Sequence, residues 1–549
     1  MNRRLCRALA VALVIVVTSV LLAPVRTGLA AASLPGDRLH FGVSSGPGDL
    51  GWMTGSGVPW RYRYQYLAGG VNTGHGWETW QDPAKPPGQF ALDYMRQSAP
   101  SYIPVLTYYE LLQSGPASGG DETSKDFSNL NNAATMHAYY TNFVLLMQRA
   151  AAFGGQVVVH VEPDLWGYLQ QRAAGHDAST LSASVQSSGT ADVSGIPDTV
   201  QGFAGALLRL RDHYAPNVVM AVHASMWSSG IDVASNTSAS VDVTAQADST
   251  AAFLGSAGLS ANPWGGTWDA VFNDVDDHDA GWWEAQGADN ASFTHWWDSS
   301  NTRFPNFARY LRWVAELHAR SGRPQVVWQV PIGNQVYLTM NNTCGHYQDN
   351  IAQYFISHAG DLHAAGMAAV LFGAGNSCQT TNIDAMHDGT TNNGGRPTSD
   401  AAGWCNACNT RQSTVSDDDG GFLRAAVGAY YAGAPIPGGT GAPPPQPPAA
   451  VPTSQPPALT AGGPPASQPS PSAAPVPGED PAGLGPRWHA APFSVTSVSR
   501  VIVAAHDDAR GSALATVLLA AAVAGGGAAA ALVWRQRQRR PGAHPAGTA

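Results

Sequence analysis

Acidic side chains follow two apolar stretches of the sequence, and together they could perform acid–base chemistry. Glu162 and Asp164 come directly after a valine-rich run at 157–161, which is typical of a buried parallel strand. Asp274 and Asp276 end a second apolar stretch and share a parity along the chain. Glycosidic cleavage uses two carboxyl groups, one protonated for the leaving oxygen and one ionised as nucleophile or base. We therefore predict these four acids as catalytic candidates.

Other interpretations of these acids stay open on the sequence alone. A carboxylate at a strand end also serves as the cap of the following helix, which applies to Glu162. The stretch 274–279, Asp-Val-Asp-Asp-His-Asp, is equally typical of a solvated acidic loop. It is less typical of a calcium loop, because it lacks the glycine and the distal glutamate of an EF-hand. We predict no metal ion and no cofactor.

Polar and aromatic residues near predicted strand ends form a second set of candidates, for binding a sugar. The chain has 17 tryptophans, most of them in predicted loops. Flat indole rings stack on the C–H faces of sugars, whereas core tryptophans would follow strand or helix spacing. His223 could orient either a carboxylate or a sugar hydroxyl, and a purely structural histidine is the alternative. The predicted substrate-binding residues are Glu110, Trp166, His223, Trp227, Trp282, Trp283, Trp328, Gln329 and Asn376.

Eight apolar stretches that alternate with helical patterns would position these residues. Besides the valine-rich run, the predicted strands cover 39–43, 61–67, 102–109, 218–223, 268–274, 325–330 and 367–372. The predicted helices cover 132–153, 198–213, 245–256, 304–319, 347–364 and 422–431. This alternation over about 400 residues predicts a (β/α)8 TIM-like barrel with long loops, whose active site lies at the carboxyl ends of the strands. A doubly wound open sheet is the alternative, but no Gly-x-Gly-x-x-Gly follows the first strand.

The segment Val161-Glu162-Pro163-Asp164-Leu165 resembles the Glu-Pro-Asp-x-Leu segment of family-six cellulases, which are inverting glycosidases on a distorted barrel. The resemblance implies that Asp164 is the general acid. It covers residues 157–169, and the family's companion motif, Tyr-Asp-x-Pro-x-Arg-Asp, has no match. The third predicted strand instead ends in Thr-Tyr-Tyr-Glu, at residues 107–110.

The large clan of retaining glycosidases offers a second resemblance, because it is similar in placing an acid after the fourth strand. That clan also needs a glutamate at the end of the seventh strand. Here the seventh strand reads Val-Trp-Gln-Val-Pro-Ile at 327–332, without a carboxylate. Either the second acid comes from the sixth strand, or the barrel only binds carbohydrate.

The amino-terminal segment, residues 1–32, is typical of a secretion signal. Three arginines at positions 3, 4 and 7 precede the apolar run 9–22, and Ala-Ala-Ala at 30–32 supplies a cleavage site. The sequence therefore predicts export, with a mature chain that starts near Ser33 and a barrel domain at 33–432.

The carboxyl-terminal part differs in composition and predicts a membrane anchor. Residues 433–486 are dominated by Pro, Ala, Gly and Ser, which indicates a disordered, extended linker. A juxtamembrane segment at 487–511 leads to 512–534, which is apolar and long enough to cross a bilayer as one transmembrane helix. The basic tail 535–549 predicts a cytoplasmic end. We thus expect a single-pass protein of the cell membrane with its barrel outside the cell.

Cysteine usage and charge narrow the class further. Cys6 lies in the predicted signal, and four cysteines in an exported chain favour disulfides over a zinc or redox site, because no second Cys-x-x-Cys is present. These disulfide candidates are Cys344, Cys378, Cys405 and Cys408. The net charge of −10 argues against nucleic acid as a partner.

The combined features predict a surface-anchored glycoside hydrolase that acts on a polysaccharide or oligosaccharide through a pair of carboxylates. The alternative is a non-catalytic carbohydrate-binding or adhesion protein on a membrane-anchored stalk. The sequence lacks the Gly-x-Ser-x-Gly and His-Glu-x-x-His motifs of esterases and metalloproteases.

Overall fold

The computed structural model describes residues 33–333, 347–373, 380 and 419–434. These ranges contain the predicted catalytic residues and all predicted sugar-binding residues except Asn376. Asn376 and the disulfide candidates Cys344, Cys378, Cys405 and Cys408 lie outside the described residues. The predicted signal, linker, juxtamembrane segment, membrane helix and tail lie outside them as well.

Eight parallel strands close into a barrel in chain order, with β1 paired to β8. The predicted (β/α)8 barrel is therefore confirmed, and the open sheet is wrong. The strands are β1 His40–Ser44, β2 Tyr62–Leu67, β3 Ile103–Tyr108, β4 Val157–Val161, β5 Val218–His223, β6 Ala270–Asn273, β7 Gln325–Val330 and β8 Met367–Phe372.

Helices surround the barrel and connect successive strands. The described helices are α1 Leu50–Gly55, α2 Gln89–Ser98, α3 Glu122–Leu130, α4 Ala133–Phe153, α5 Pro163–Arg172, α6 Val200–Tyr214, α7 Val243–Leu254, α8 Ala280–Ala285, α9 Phe307–Ser321, α10 Ile351–Ser357, α11 Ala359–Ala364 and α12 Asp419–Ala432. Asn132 caps α4 by accepting a hydrogen bond from the Thr135 backbone N–H, and Gly154 ends it with φ +75°. Asn at the start of a helix and Gly at its end are residue types that favour these positions.

Alternation along the strands divides the apolar residues into two cores. On β4, Val157, Val159 and Val161 belong to the core between the barrel and the helices. Val158 belongs to the core inside the barrel. His160 also faces inward, because its ring stacks on Phe272 of the interior core with 4.5 Å between ring centroids. Two side chains of β4 therefore fill the barrel, and three hold the helices against it.

Two strand ends determine where the acids lie. β4 ends at Val161, and α5 begins with Pro163 in the first helical position, which proline favours. Glu162 joins the two with φ +44°, and its side chain makes no capping hydrogen bond to α5. β6 ends at Asn273, one residue earlier than predicted, so Asp274 already lies in the following loop.

No helix within the described residues is long and apolar enough to cross a membrane. The segment 512–534 is not among them, so the membrane anchor stays a prediction.

Candidate active site

A small cavity lies at the carboxyl ends of the barrel strands, where a (β/α)8 enzyme carries its active site. We call it the mouth cavity, and its volume is about 10 Å³. That volume holds about one water molecule, so a sugar ring does not fit inside and a glycan would bind across the entrance. Its lining residues are Tyr66, Tyr109, Pro163, Asp164, Asp274, Asp277, Trp328 and Gln329.

Asp164 reaches the mouth cavity from the first turn of α5. Its side chain is buried. Burial raises the pKa of Asp164 well above its usual value, and the nearby carboxylates of Glu122 and Asp274 raise it further. A carboxyl group that keeps its proton near neutral pH is what general acid catalysis requires.

Asp274 lies across the same cavity and rests on a hydrogen-bonded series of buried side chains. His223 Nε2 is 3.1 Å from Asp274 Oδ1, and His223 Nδ1 is 3.1 Å from His160 Nε2. Thr107 Oγ1 lies 3.5 Å from His160 Nδ1. Both imidazoles are fully buried. We call Thr107, His160 and His223 the buried imidazole chain.

The direction of the hydrogen bonds in this chain follows from the chemistry of its end. Burial lowers the pKa of His160 well below its usual value, so that ring is neutral. An ionised carboxylate only accepts, so His223 donates to Asp274 from Nε2 and accepts from His160 at Nδ1. His160 then accepts from the Thr107 hydroxyl. Every donor then points towards Asp274, so a series of aligned hydrogen bonds orients that carboxylate.

Aromatic packing fixes the rings of the buried imidazole chain. Trp328 meets His160 edge to face, with ring centroids 4.9 Å apart. On the other side, His160 stacks on Phe272. Trp328 also meets His223 edge to face, with ring centroids 6.0 Å apart. Because the His160 and His223 rings are both held in place, Asp274 meets a donor of fixed direction. Of the interpretations that the sequence left open for His223, orienting a carboxylate fits this geometry.

Glu162 lies away from the mouth cavity, although it directly follows β4, the valine-rich strand that leads to Asp164. Its Oε1 atom accepts hydrogen bonds from the backbone N–H groups of Glu110, at 3.1 Å, and Leu111, at 3.2 Å. Burial raises its pKa from an ordinary 4.5 to about 8, and these hydrogen bonds offset part of the rise. The carboxyl group thus joins the end of β4 to the segment after β3, and the turn that it occupies delivers Asp164 to the cavity.

Replacing Glu162 by Gln should make stability less dependent on pH. Because the carboxyl group is 1% exposed and keeps its proton to about pH 8 in the folded state, the free energy of unfolding falls as pH rises from about 4.5 to about 8. The fall is on the order of 4 kcal/mol. A neutral Gln keeps the acceptor oxygen and removes this titration. Urea unfolding of both proteins at pH 5 and pH 8 measures the difference, and an equal fall in both would contradict the prediction.

Asp276, which the sequence predicts as a catalytic candidate, lies outside the mouth cavity. Asp276 Oδ1 accepts hydrogen bonds from Trp283 Nε1, at 2.7 Å, and from the His278 backbone N–H, at 3.0 Å. It is buried and is not a lining residue of the mouth cavity. Asp277, which the sequence analysis missed, lines the cavity instead. β6 ends before either residue, so the period-two alternation of a strand does not govern them.

Most of the predicted tryptophans pack against protein. Trp166 is buried, stacks on Phe203 and donates from Nε1 to the Val161 carbonyl oxygen at 2.9 Å. Trp282 stacks on His278, with ring centroids 3.7 Å apart. The ring faces of Trp166 are therefore closed to a sugar, and one face of Trp282 is covered.

Two other predicted tryptophans are covered in a similar way. Trp283 stacks on His295, with ring centroids 4.5 Å apart. Trp227 lies against Gly167, where an added Cβ would come within 2.5 Å of the indole ring. Among the described residues, Trp80 is the tryptophan with an exposed side chain.

The predicted residues on β7 do reach the mouth cavity. Trp328 is 3% exposed, and its Nε1 atom has no hydrogen-bond partner among the described residues. Gln329 adopts φ +58°, which is rare for a residue with a side chain, and accepts a hydrogen bond from the Tyr66 hydroxyl. Such backbone conformations concentrate at functional sites. Glu110 is buried beside Glu162 and lies outside the lining.

Two tyrosines of the lining were missed from the sequence. Tyr66 belongs to β2, and Tyr109 directly follows β3. Tyr109 donates its hydroxyl to Glu122 at 2.8 Å, which connects the cavity to a further buried carboxyl group. Their position at strand ends was the available signal, since the predicted strands at 61–67 and 102–109 already contained both.

Comparison with solved structures gives distant alignments. The Ignisphaera aggregans GH53 catalytic domain aligns at 10% identity with a TM-score of 0.34, over 62% of this chain and 86% of that one. The catalytic domain of the Bacillus sp. JAMB-750 GH26 endo-β-1,4-mannanase aligns at 10% identity and 0.34, over 62% and 78%. The carboxyl transferase domain of Rhizobium etli pyruvate carboxylase aligns at 10% identity and 0.28, over 63% and 42%.

No family model matches the chain, and no curated protein sequence is similar to it. The resemblance of residues 157–169 to family-six cellulases therefore stays a prediction. The closed order of eight parallel strands, rather than any alignment, defines the architecture. The chain is a (β/α)8 barrel, a fold whose function must be argued from its site.

Proposed function

We propose that this protein is a glycoside hydrolase in which Asp164 is the general acid and Asp274 is its ionised partner. One observation carries the proposal: the two carboxyl groups line the same cavity, where burial raises the pKa of Asp164 and His223 holds Asp274 by a hydrogen bond. In known hydrolytic sites, two carboxyl groups held in different surroundings act as the acid and the base.

Each residue has a definite part in the proposed reaction. The glycan binds across the mouth cavity, and Asp164 donates its proton to the glycosidic oxygen as the bond breaks. Asp274 either attacks the anomeric carbon or takes a proton from a water that does so, and the configuration of the product distinguishes the two. The buried imidazole chain stabilises the negative charge of Asp274 until that carboxylate reacts. Tyr66 and Gln329, which are hydrogen-bonded to each other, contact the sugar at the rim.

The proposal is tested by screening the full-length protein against soluble and insoluble glycans of several linkages, with release of reducing ends as the readout. We expect release from at least one glycan, and none from the double variant Asp164→Asn and Asp274→Asn. Absence of release from every glycan, together with binding to one of them, would support the carbohydrate-binding alternative. The small volume of the mouth cavity is the observation that favours this alternative.

We also propose that the barrel is displayed outside the cell and tethered by residues 512–534. The support is the order of segments in the sequence: a secretion signal, the barrel, a proline-rich linker, an apolar span and a basic tail. An epitope placed after Ala549 should stay protected when protease is added to intact cells, whereas the barrel should be digested. Digestion of the epitope together with the barrel would contradict the orientation.

A further inference from the structure

A second cavity lies on the face of the barrel opposite the mouth. Its volume is about 360 Å³, and its lining residues are Asp192, Arg209, Leu210, Asp212, His213, Trp264 and Gly265. Most of these residues come from the last turns of α6, which leads into β5, and from the segment before β6, whereas Asp192 belongs to the segment that precedes α6. Both places adjoin the amino ends of strands, whereas the mouth cavity adjoins the carboxyl ends. We call this cavity the basal groove.

The basal groove has the size of a ligand site. Ligand pockets have volumes of about 300–1,000 Å³, and the mouth cavity is far below that range. The groove therefore has room for a sugar ring, which the mouth cavity lacks. Its lining combines one large aromatic ring with hydrogen-bonding side chains, as carbohydrate recognition requires.

Trp264 packs closely against helix α6. It packs on Gly205 of α6, where an added Cβ would come within 2.6 Å of Cε3 of the indole. A side chain at this position would displace the indole ring from the helix. The side chain is half-buried and lines the groove, which leaves the ring available to stack on the apolar face of a pyranose.

The loop that carries Trp264 is held by its own hydrogen bonds. Asn262 Oδ1 accepts from the backbone N–H groups of Trp264, at 3.0 Å, and Gly265, at 2.9 Å. Asn262 Nδ2 donates to the Gly266 carbonyl oxygen at 2.6 Å. The ring is therefore fixed before any ligand arrives, which reduces the entropy cost of binding.

Hydrogen-bond donors and acceptors line the groove together with the ring. Some of them are held in place by hydrogen bonds to other residues. Asp212 Oδ1 accepts from Arg211 Nε at 2.7 Å, and Asp212 Oδ2 accepts from the Gly266 backbone N–H at 2.6 Å. Asp192 Oδ2 accepts from the Tyr214 hydroxyl at 3.1 Å. Arg209 adds donors. Sugar hydroxyls both donate and accept, so a neutral glycan matches this mixture better than an anion or a purely apolar ligand does.

We propose that the basal groove is a second, non-catalytic site for an uncharged glycan chain, with Trp264 as its stacking platform. A site on the face opposite the mouth holds the enzyme to a polymer without competing for the bond being cleaved. The activity part of this inference rests on the proposed function, but the binding part does not.

The test compares Trp264→Ala with Trp80→Ala in the full-length protein. Trp80 is 40% exposed and packs edge to face on Phe90, outside the groove, so it is a matched control. Binding to insoluble cellulose, mannan, xylan and chitin is measured by depletion from solution. We expect the wild type and Trp80→Ala to bind at least one of them, and Trp264→Ala to bind it about tenfold more weakly.

A second variant keeps the test decisive if Trp264→Ala unfolds. Asp192→Asn leaves the loop intact and removes one acceptor from the groove, so it should weaken binding of the same polysaccharide several-fold. Both variants should hydrolyse a short soluble oligosaccharide as the wild type does. Binding that is unchanged in folded Trp264→Ala and in Asp192→Asn, or a wild type that binds none of the four, would overturn the inference. Failure of the hydrolysis screen alone would overturn only the proposed function.

Discussion

Asp164→Asn is expected to lower kcat on a glycan roughly 10²–10⁴-fold, the range over which a positioned general acid acts. Asn has nearly the shape of the protonated Asp164 side chain but cannot donate the proton that the leaving oxygen needs. Because burial raises the pKa of this carboxyl group well above its usual value, the loss should extend to pH values above the ordinary range of an aspartic acid. Initial rates on the glycan identified by screening measure it.

The leaving group provides the control for this prediction. The nitrophenolate group of an aryl glycoside leaves without being protonated. Asp164→Asn should therefore lose much less activity on such a substrate than on the glycan. Asp93→Asn is the matched variant, because Asp93 lies on α2 and pairs with Lys85 Nζ at 2.9 Å, away from the mouth cavity. Equal losses on both substrates would show that Asp164 is not the acid.

Asp274→Asn is expected to reduce turnover roughly 10³-fold or more on both substrates, since neither leaving group replaces a missing nucleophile or base. The amide oxygen of Asn still accepts the hydrogen bond from His223 Nε2, so the buried imidazole chain should survive the change. Rates on the glycan and on the aryl glycoside, with an unfolding curve for each protein, test this prediction.

Two further measurements define the role of Asp274. In Asp274→Gly the missing side chain leaves space for azide, and recovery of activity with formation of a glycosyl azide would place the anion beside the anomeric carbon. Proton NMR of the first product shows whether the configuration is retained or inverted. Asp276→Asn is the neighbouring control, because its carboxylate binds Trp283 outside the cavity. A larger loss in a folded Asp276→Asn than in Asp274→Asn would reverse the assignment.

The barrel could be predicted because its strands carry a strong local signal. A valine-rich run followed by Glu-Pro-Asp marks the end of β4, since proline cannot continue a central strand. The structure places that boundary between Val161 and Pro163, as expected. Helix α4 has an Asn at its start and a Gly at its end, and its predicted range differs from the observed one by one residue.

The site could be predicted only in part, because residues beyond a strand end do not follow the alternation of the strand. Asp164 and Asp274 meet in the mouth cavity, whereas Glu162 turns to the backbone after β3 with φ +44°. A conformation of that kind depends on tertiary contacts rather than on the side chain's own preference. Asp277, rather than the predicted Asp276, lines the cavity for the same reason.

Tryptophan content could not locate the sugar site either. Indole rings in predicted loops were expected to face solvent, but Trp166 is buried between the helices and the barrel. Composition does not distinguish a loop that covers a core from a loop that is open. The pairing of Trp264 with Gly205, 59 positions apart in the sequence, becomes visible only in three dimensions.

The buried imidazole chain takes one residue from each of β3, β4 and β5 and ends at a residue that directly follows β6. Exchange of loops and fusion of half-barrels are two ways to alter a barrel enzyme. They should affect the contacts of the buried imidazole chain differently. New loops at the rim would leave these interior contacts intact. A chimera with its junction between β4 and β5 would separate His160 from His223, and it would need a second parent that supplies the missing imidazole. The smallest block that carries the whole buried imidazole chain together with Asp274 is therefore the four strands from β3 to β6.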